Sequence, residues 1–235
     1  MRDPGSFQTV NLRDPRQDVH IERKHPRELN RYKVAESLLP PNQDGLSVLE
    51  LGGGIAELSR RMTDRGIHVT FVDLSEHNIA KAANLGLTTH RLDLNLGLGV
   101  FEDQQFDGVV MLETIEHVVA AEQLLSEVAR VLKPGGFVIL STPNFAFFLN
   151  RLRIIRGKLS SDEGYHYRFF TVASLRRQLS DAGLEVDVDA YTMPAMGANF
   201  VRNRLLKRPR RHVGVPKPIA PLFAHTLFVR ARKSV

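Results

Sequence analysis

The stretch SVLELGGGIAEL (47–58) constrains the fold more than any other part of the chain. A short apolar run gives way to three consecutive glycines and then to a segment with helical spacing, GGGIAELSRRMTDRG (52–66). Apolar run, Gly-rich turn and amphipathic helix, in that order, describe a strand feeding a helix through a turn where backbone can approach a ligand closely. The same rhythm continues. HVTFVDL (68–74) reads as a second strand, SEHNIAKAANLG (75–86) as a helix capped by Ser75, and TTHRLDL (88–94) as a third strand. FDGVVML (106–112) reads as a fourth strand, residues 119–132 as a helix stopped by KPGG, and FVILSTPN (137–144) as a fifth strand. Strands alternating with helices predict a mostly parallel sheet covered on both faces.

The flanks read differently. Residues 1–28 are polar, carry two Asp-Pro pairs and show little periodicity, which predicts an N-terminal arm. PRELNRYKVAESLL (26–39) has helical spacing and is cut off by PPNQDG. Beyond the fifth strand, FAFFLNRLRIIRGKL (145–159) interleaves arginines with apolar residues. TVASLRRQLSDAG (171–183) reads as a capped helix, and LEVDVDAY (184–191) and HTLFVRARK (225–233) as strands. A chain of 235 residues can bury a full core, so 29–235 is expected to be one domain. The absence of cysteine excludes disulfides, thiolate catalysis, iron–sulfur clusters and cysteine-ligated zinc. The first thirty residues hold no apolar core of a signal peptide, and no apolar run reaches the roughly 18–20 residues of a membrane span. A cytoplasmic protein, peripheral to a membrane at most, is expected. The net charge of +6 resides in RNRLLKRPRRH (202–212), which has six Lys/Arg and no acid; the remainder is formally neutral. Such a segment suits an anionic surface, membrane or nucleic acid.

Three ligand classes compete for the Gly-rich turn. A phosphate-cradling loop needs Gly-Lys-Ser/Thr, which is missing here. The dinucleotide fingerprint G-x-G-x-x-G is met at Gly52 and Gly54 but has Glu57 at its last position. A cofactor made of a nucleoside and an amino acid needs less phosphate-binding machinery and tolerates Glu50 beside the loop. Asp73, at the end of the second strand, can accept both ribose hydroxyls. Asp93, at the end of the third, can accept an adenine amino group while Leu94 lies on the ring. Ligands of open α/β sheets bind at these strand ends.

Taken together, these segments resemble the class I S-adenosylmethionine-dependent methyltransferases. VLELGGGIAEL is similar to their first motif, VTFVDLS to the second, RLDLN to the adenine motif, and FDGVVMLETIEHV and LKPGGFVILSTPN to the fourth- and fifth-strand motifs. YHYRFFTVASLRRQLSDAGLEV is similar to a common C-terminal signature. The resemblance spans roughly 30–190, and within the superfamily it is nearest the ubiquinone-biosynthesis O-methyltransferase-like group. It implies a Rossmann-like α/β fold: a seven-stranded, mostly parallel sheet with helices on both faces, an antiparallel last strand at 225–233, and a helical and loop lid from 29–39, 145–168 and 192–222. It implies S-adenosylmethionine as cofactor and S-adenosylhomocysteine as product. Gly52, Gly53 and Gly54 would meet the methionine part, Glu50 would support the loop, Asp73 and Leu74 would hold the ribose, and Asp93 and Leu94 the adenine. Leu112 would close the other side. The family often has glycine where Ala56 stands.

The segment MLETIEHV (111–118) supplies the chemistry. If it begins a helical turn, Glu113, Glu116 and His117 share one face. They then form an acid–base group, a divalent metal face or a helix start packed under the cofactor. His117 is the expected catalytic group, because histidine titrates near neutral pH. His166 would complete a metal set, as in the similar Glu-x-x-Glu-His pattern of small-RNA 3′-terminal 2′-O-methyltransferases. Here, however, Tyr167 directly precedes Arg168-Phe169 and a single histidine lies nearby, so the expected site has no metal. Tyr32, Tyr165 and His166 are expected to face the acceptor. The expected activity is O-methylation of a small-molecule or lipid-linked, anionic acceptor. The alternatives are a metal-dependent RNA 2′-O-methyltransferase and a non-catalytic binding protein that keeps the fold.

Overall fold

The computed structural model describes residues 26–158, 166–194, 212–214 and 220–234. Five parallel strands form in chain order with helices between them. They are β1 (Ser47–Leu51), β2 (His68–Asp73), β3 (Thr88–Arg91), β4 (Phe106–Leu112) and β5 (Leu132–Pro143). Helices α1 (Pro26–Leu38), α2 (Glu57–Thr63), α3 (Glu76–Asn84) and α4 (Ala121–Val131) precede or link them. The C-terminal part adds α5 (Phe148–Ile155), α6 (Val172–Asp181), β6 (Leu184–Pro194), β7 (His212–Gly214), α7 (Ala220–Phe223) and β8 (Thr226–Lys233). The strand order is β3-β2-β1-β4-β5-β8-β6-β7. β8 runs antiparallel to both β5 and β6, as expected of the last strand. The expected seven strands are therefore present, and the three-residue β7 pairs antiparallel with β6 as an eighth, at the edge.

The alternation of side chains across the central strands builds two cores. Leu49, Val109, Val138 and Val229 face α4 and α6, whose Leu124, Leu125, Val128, Leu175 and Leu179 pack on them. Their chain neighbours Val48, Val110, Ile139 and Phe228 face α1 and α2, which contribute Ala35, Leu38, Leu58 and Met62. Both faces of each central strand are thus buried, which is why these strands read as continuous apolar runs. α1, expected to belong to a lid, also covers the sheet.

Two boundaries differ from the expectation for a local reason. β5 begins at Leu132, five residues early, because KPGG stays in the ladder as an irregularity opposite Phe106 and Gly108. Gly135 takes φ 72°, and a side chain at Gly136 would meet the Lys133 carbonyl at 2.8 Å. β3 ends at Arg91, because Leu92 donates its N–H to the Asp73 carbonyl (3.2 Å) and Asp93 then caps a one-turn 3₁₀ helix at Leu94–Leu96. Asp3-Pro4, Asp14-Pro15, Tyr165 and residues 202–211 of the basic segment lie outside the described residues.

The strand order reverses between β1, which continues to β2, and β4, which continues to β5. The loops leaving β1 and β4 therefore diverge and leave a crevice at their C-terminal ends. The wall of that crevice is tightly fitted. A methyl group on Gly53 would lie 2.2 Å from Phe71, and one on Gly52 would lie 2.7 Å from Thr114. Gly53→Ala is expected to lower unfolding stability by about 1–3 kcal/mol. Gly99→Ala, which meets nothing within 4 Å, should change it by less than about 0.5 kcal/mol. Urea denaturation of the two variants checks this.

Candidate active site

The Gly-rich turn is held by main chain. Gly52 and Gly54 adopt positive φ (67° and 57°), and the Gly52 N–H donates to the Val72 carbonyl at 2.8 Å. Ala56 also takes a left-handed conformation, φ 59°, and is fully buried. An alanine there costs roughly 1–2 kcal/mol relative to an unstrained residue. This explains why glycine suits the position, and the interior closes around the added methyl.

Asp73 joins the turn to the second strand. Its Oδ2 accepts the Gly54 N–H at 2.9 Å and its Oδ1 accepts the Ser75 N–H at 2.8 Å. One carboxylate thus fixes both the glycine loop and the start of α3. Asp93 accepts both the backbone N–H and the side-chain amide of Asn95 at 2.9 Å. The Asn95 Oδ1 in turn accepts the Val119 N–H at 2.9 Å. Asn95 thereby ties the loop after β3 to the loop after β4, a role the sequence pattern did not single out. Leu74 is 51% exposed at the mouth, whereas Leu94 and Leu112 are half-buried and packed on the two cores.

Glu50 lies beneath the loop, on the α1/α2 side of β1. It is 4% exposed and accepts a short hydrogen bond from the Ser59 hydroxyl of α2. Burial, helped by the like charge of Asp73 and opposed by Ser59 and Arg31, pushes its carboxyl up to about 7. Arg31 in α1 acts on Glu50 and also on Glu116. Its positive charge is the contribution of α1 to the balance of these two acids, and helical periodicity gave no sign of it. Its neighbour Tyr32, expected to face the acceptor, is instead 6% exposed and packed with Ala35, Leu38 and Met62. The guanidinium groups of Arg31 and Arg61 lie over its ring.

Residues 113–118 do not form the single helical turn that would put three ligands on one face. Glu113 is left-handed, φ 51°, and its Oε1 accepts the Ser141 hydroxyl at 2.8 Å. A one-turn 3₁₀ helix, Ile115–His117, follows. Glu116 is 1% exposed and its Oε2 accepts the Thr142 hydroxyl at 3.1 Å. Burial, reinforced by Glu113, pushes the Glu116 carboxyl up to about 8. The Glu116 carbonyl accepts two N–H groups, from Tyr167 (2.9 Å) and Arg168 (3.1 Å). Those bonds, with the Arg168 Nε on the Val119 carbonyl at 2.7 Å, hang the segment 166–170 on the β4 exit. His166 consequently meets His117 edge to face, ring centroids 4.8 Å apart. One ligating atom each from Glu116, His117 and His166 lies within 4.8 Å of the other two. A small pocket beside them is lined by Pro143, Phe145, Asn150 and Arg168.

The donors suit a nucleoside cofactor carrying a positive centre. Carboxylates ring the crevice, Gly54 faces open space, and no Gly-Lys-Ser/Thr is present to hold phosphates. A family model described as a methyltransferase domain matches residues 21–188. The chain belongs to the S-adenosylmethionine-dependent methyltransferases. It is 32% identical over 151 residues to a ubiquinone biosynthesis O-methyltransferase of Idiomarina loihiensis, covering 60% of this chain and 62% of that one. It is 29% identical over 199 residues to a bifunctional methionine biosynthesis protein, MetXA/MetW, of Rhodopirellula baltica, covering 77% of this chain and 32% of that one. The matches thus span about three fifths of the former and one third of the latter. In fold it is similar to a methyltransferase from Thermotoga maritima described as a possible histamine N-methyltransferase. The TM-score is 0.63 at 22% identity, over 88% of both chains. S-adenosylmethionine is the methyltransferase's cofactor, and Gly52–Gly54, Asp73 and Asp93, at the exits of β1, β2 and β3, would hold it. When bound, the cofactor supplies an already activated methyl group.

Glu50 gives the methyltransferase a measurable pH signature. Its carboxyl titrates higher in the folded chain than in the unfolded one, so the folded state holds the extra proton between pH 4.5 and about 7. Stability without cofactor should therefore fall as pH rises through that window, by on the order of 3 kcal/mol for this group. Glu50→Gln should remove this share of the decline and leave the share that Glu116 contributes up to about pH 8, as read from denaturant midpoints at pH 5, 6, 7 and 8.

Proposed function

We propose that this methyltransferase transfers the cofactor's methyl group to an oxygen of a small-molecule or lipid-linked, anionic acceptor. The observation that carries the reading is the convergence of Glu116, His117 and His166 at the end of β4. A sulfonium methyl needs alignment more than activation, and positioning can supply on the order of 7–11 kcal/mol. A hydroxyl acceptor also has to lose a proton. A carboxyl and two imidazoles grouped at one point suit that task, whereas an amine acceptor that arrives neutral needs it less. The relatives named ubiquinone biosynthesis O-methyltransferases support oxygen as the receiving atom at about 30% identity.

The acceptor's character is read from the surroundings. Arg151, Arg153, Arg156 and Lys158 are exposed on and just after α5, together with Ile155. Phe169 and Tyr167 are about half exposed beside the cluster. An anionic group on an apolar or aromatic body fits those side chains. No helix among the described residues is long and apolar enough to cross a membrane. Contact with an anionic surface would run through α5 and the basic segment 202–212.

His117→Ala is expected to lower the rate of methyl transfer by about 10²–10⁴-fold, with cofactor binding nearly unchanged. Tritiated methyl transfer into small-molecule, lipid and RNA fractions of a cell extract tests both points. Label in an O-methylated, lipid-extractable product supports the reading. Label confined to RNA or to methylated nitrogen overturns it.

A further inference from the structure

We propose that Thr114 is a positioning residue for methyl transfer: its hydroxyl ties the exit of β4 to the exit of β1 and so sets the spacing across the crevice. The inference rests on the reading that the acceptor is received at Glu116, His117 and His166, but the tie stands on geometry of its own. β1 and β4 pair in parallel as far as Glu50 and Val110. Past that point the two chains part, β1 into the glycine turn and β4 into residues 113–118. The Thr114 hydroxyl spans the gap. It lies 3.2 Å from the Leu51 carbonyl and 3.1 Å from the Leu112 carbonyl, the last residues of β1 and β4, and shares its one proton between them.

The place of Thr114 in the chain makes this contact unusual. It stands at the N-cap of the 3₁₀ turn Ile115–His117, where a threonine hydroxyl ordinarily accepts an N–H of the turn it begins. Here the side chain caps nothing and is directed across the crevice instead. It also bears on the glycine turn. A methyl group on Gly52 would lie 2.7 Å from both Oγ1 and Cγ2 of Thr114, so the two residues fit against one another. Thr114 is buried, and in such surroundings a hydrogen bond is stronger than in water.

The main chain of the same residue leads to the acceptor side. The Thr114 carbonyl accepts the His117 N–H at 3.0 Å. Glu113, just before it, is held by its N–H on the Ser141 carbonyl at 3.0 Å, so a shift of Thr114 passes into Ile115–His117 rather than back into β4. One residue therefore meets the glycine turn with its side chain and holds the His117 turn with its backbone. Methyl transfer needs the two sides aligned, and a misplacement of about 1 Å can cost about 10²-fold. Loss of the hydroxyl should lower turnover and leave binding intact, because misalignment is felt in the transition state.

The test compares the full chain with Thr114→Val, which keeps the shape and removes the hydroxyl, and Thr114→Ser, which keeps the hydroxyl. Thr88→Val on the exposed edge strand β3 is the control and should change nothing. Circular dichroism shows that each variant is folded, and Thr114→Ala takes the place of the valine variant if that one is not. Without cofactor, amide hydrogen exchange in 113–118 is expected to quicken at least about 10-fold in Thr114→Val and to stay unchanged in Thr114→Ser. Calorimetry with S-adenosylhomocysteine should give every variant a Kd within about 3-fold of the unaltered chain. Tritiated methyl transfer uses whichever extract fraction the unaltered chain labels, in graded amounts. Thr114→Val should lower its maximal rate at least about 10-fold with the half-saturating amount unchanged, and Thr114→Ser should restore it. Unchanged exchange and rate in Thr114→Val, or a serine variant as slow as the valine one, overturns the role. His117→Ala in the same fraction separates the two claims. If it keeps the full rate, the acceptor reading fails and hydrogen exchange alone decides the tie; if it is slow while Thr114→Val is not, the acceptor reading stands and the positioning role fails.

Discussion

The Asp73 carboxylate is the interaction on which the site depends. Its two oxygens accept one N–H from the glycine loop and one from the start of α3. The loop after β1 and the helix after β2 are therefore positioned by a single side chain at a strand end. That arrangement requires glycine at 53, where a side chain would run into Phe71, and positive φ at Gly52, Gly54 and Ala56. The loop's shape is thus set by the protein's own contacts, and such preformed geometry lowers the cost of ordering that binding would otherwise incur.

The second constraint lies across the crevice. β4 delivers Glu113 through His117, and the carbonyl of Glu116 collects the segment that carries His166. Asn95 bridges from the Asp93 turn to Val119, so the loop after β3 and the loop after β4 are mechanically joined. The positive charge of Arg31 acts on Glu50 and Glu116 alike and counters part of their carboxyl charge. The two halves of the site share one electrostatic balance, in which buried acids are held above the ordinary carboxylate range by burial and drawn down by α1.

Much of this could be read from the sequence. Both faces of the parallel strands are buried, so they stand out as apolar runs, and the acids at their ends fall where the chain leaves the sheet. Asp73, Asp93 and the glycines were legible for that reason. The convergence of Glu116, His117 and His166 was legible only in part. Spacing suggested a helical turn that would include Glu113, but a left-handed residue followed by a 3₁₀ turn sends Glu113 to Ser141 instead. Tyr32 and Arg31 are neighbours on one helix. Periodicity alone could not show that the aromatic ring would fill the core while the charge of its neighbour acted on the buried acids. Asn95 and Thr142 act through single hydrogen bonds between distant segments, which leave no periodic trace.

The account's central claim is that the crevice between the β1 and β4 exits binds S-adenosylmethionine through a loop fixed by Asp73. Calorimetric titration of the cofactor into the full chain and into Asp73→Asn and Asp73→Ala tests this most directly. One site per chain is expected, with affinity lowered at least about 10-fold in both folded variants, as the loss of a charged hydrogen-bond partner implies. No binding to the unaltered chain, or the same affinity in all three proteins, would contradict it.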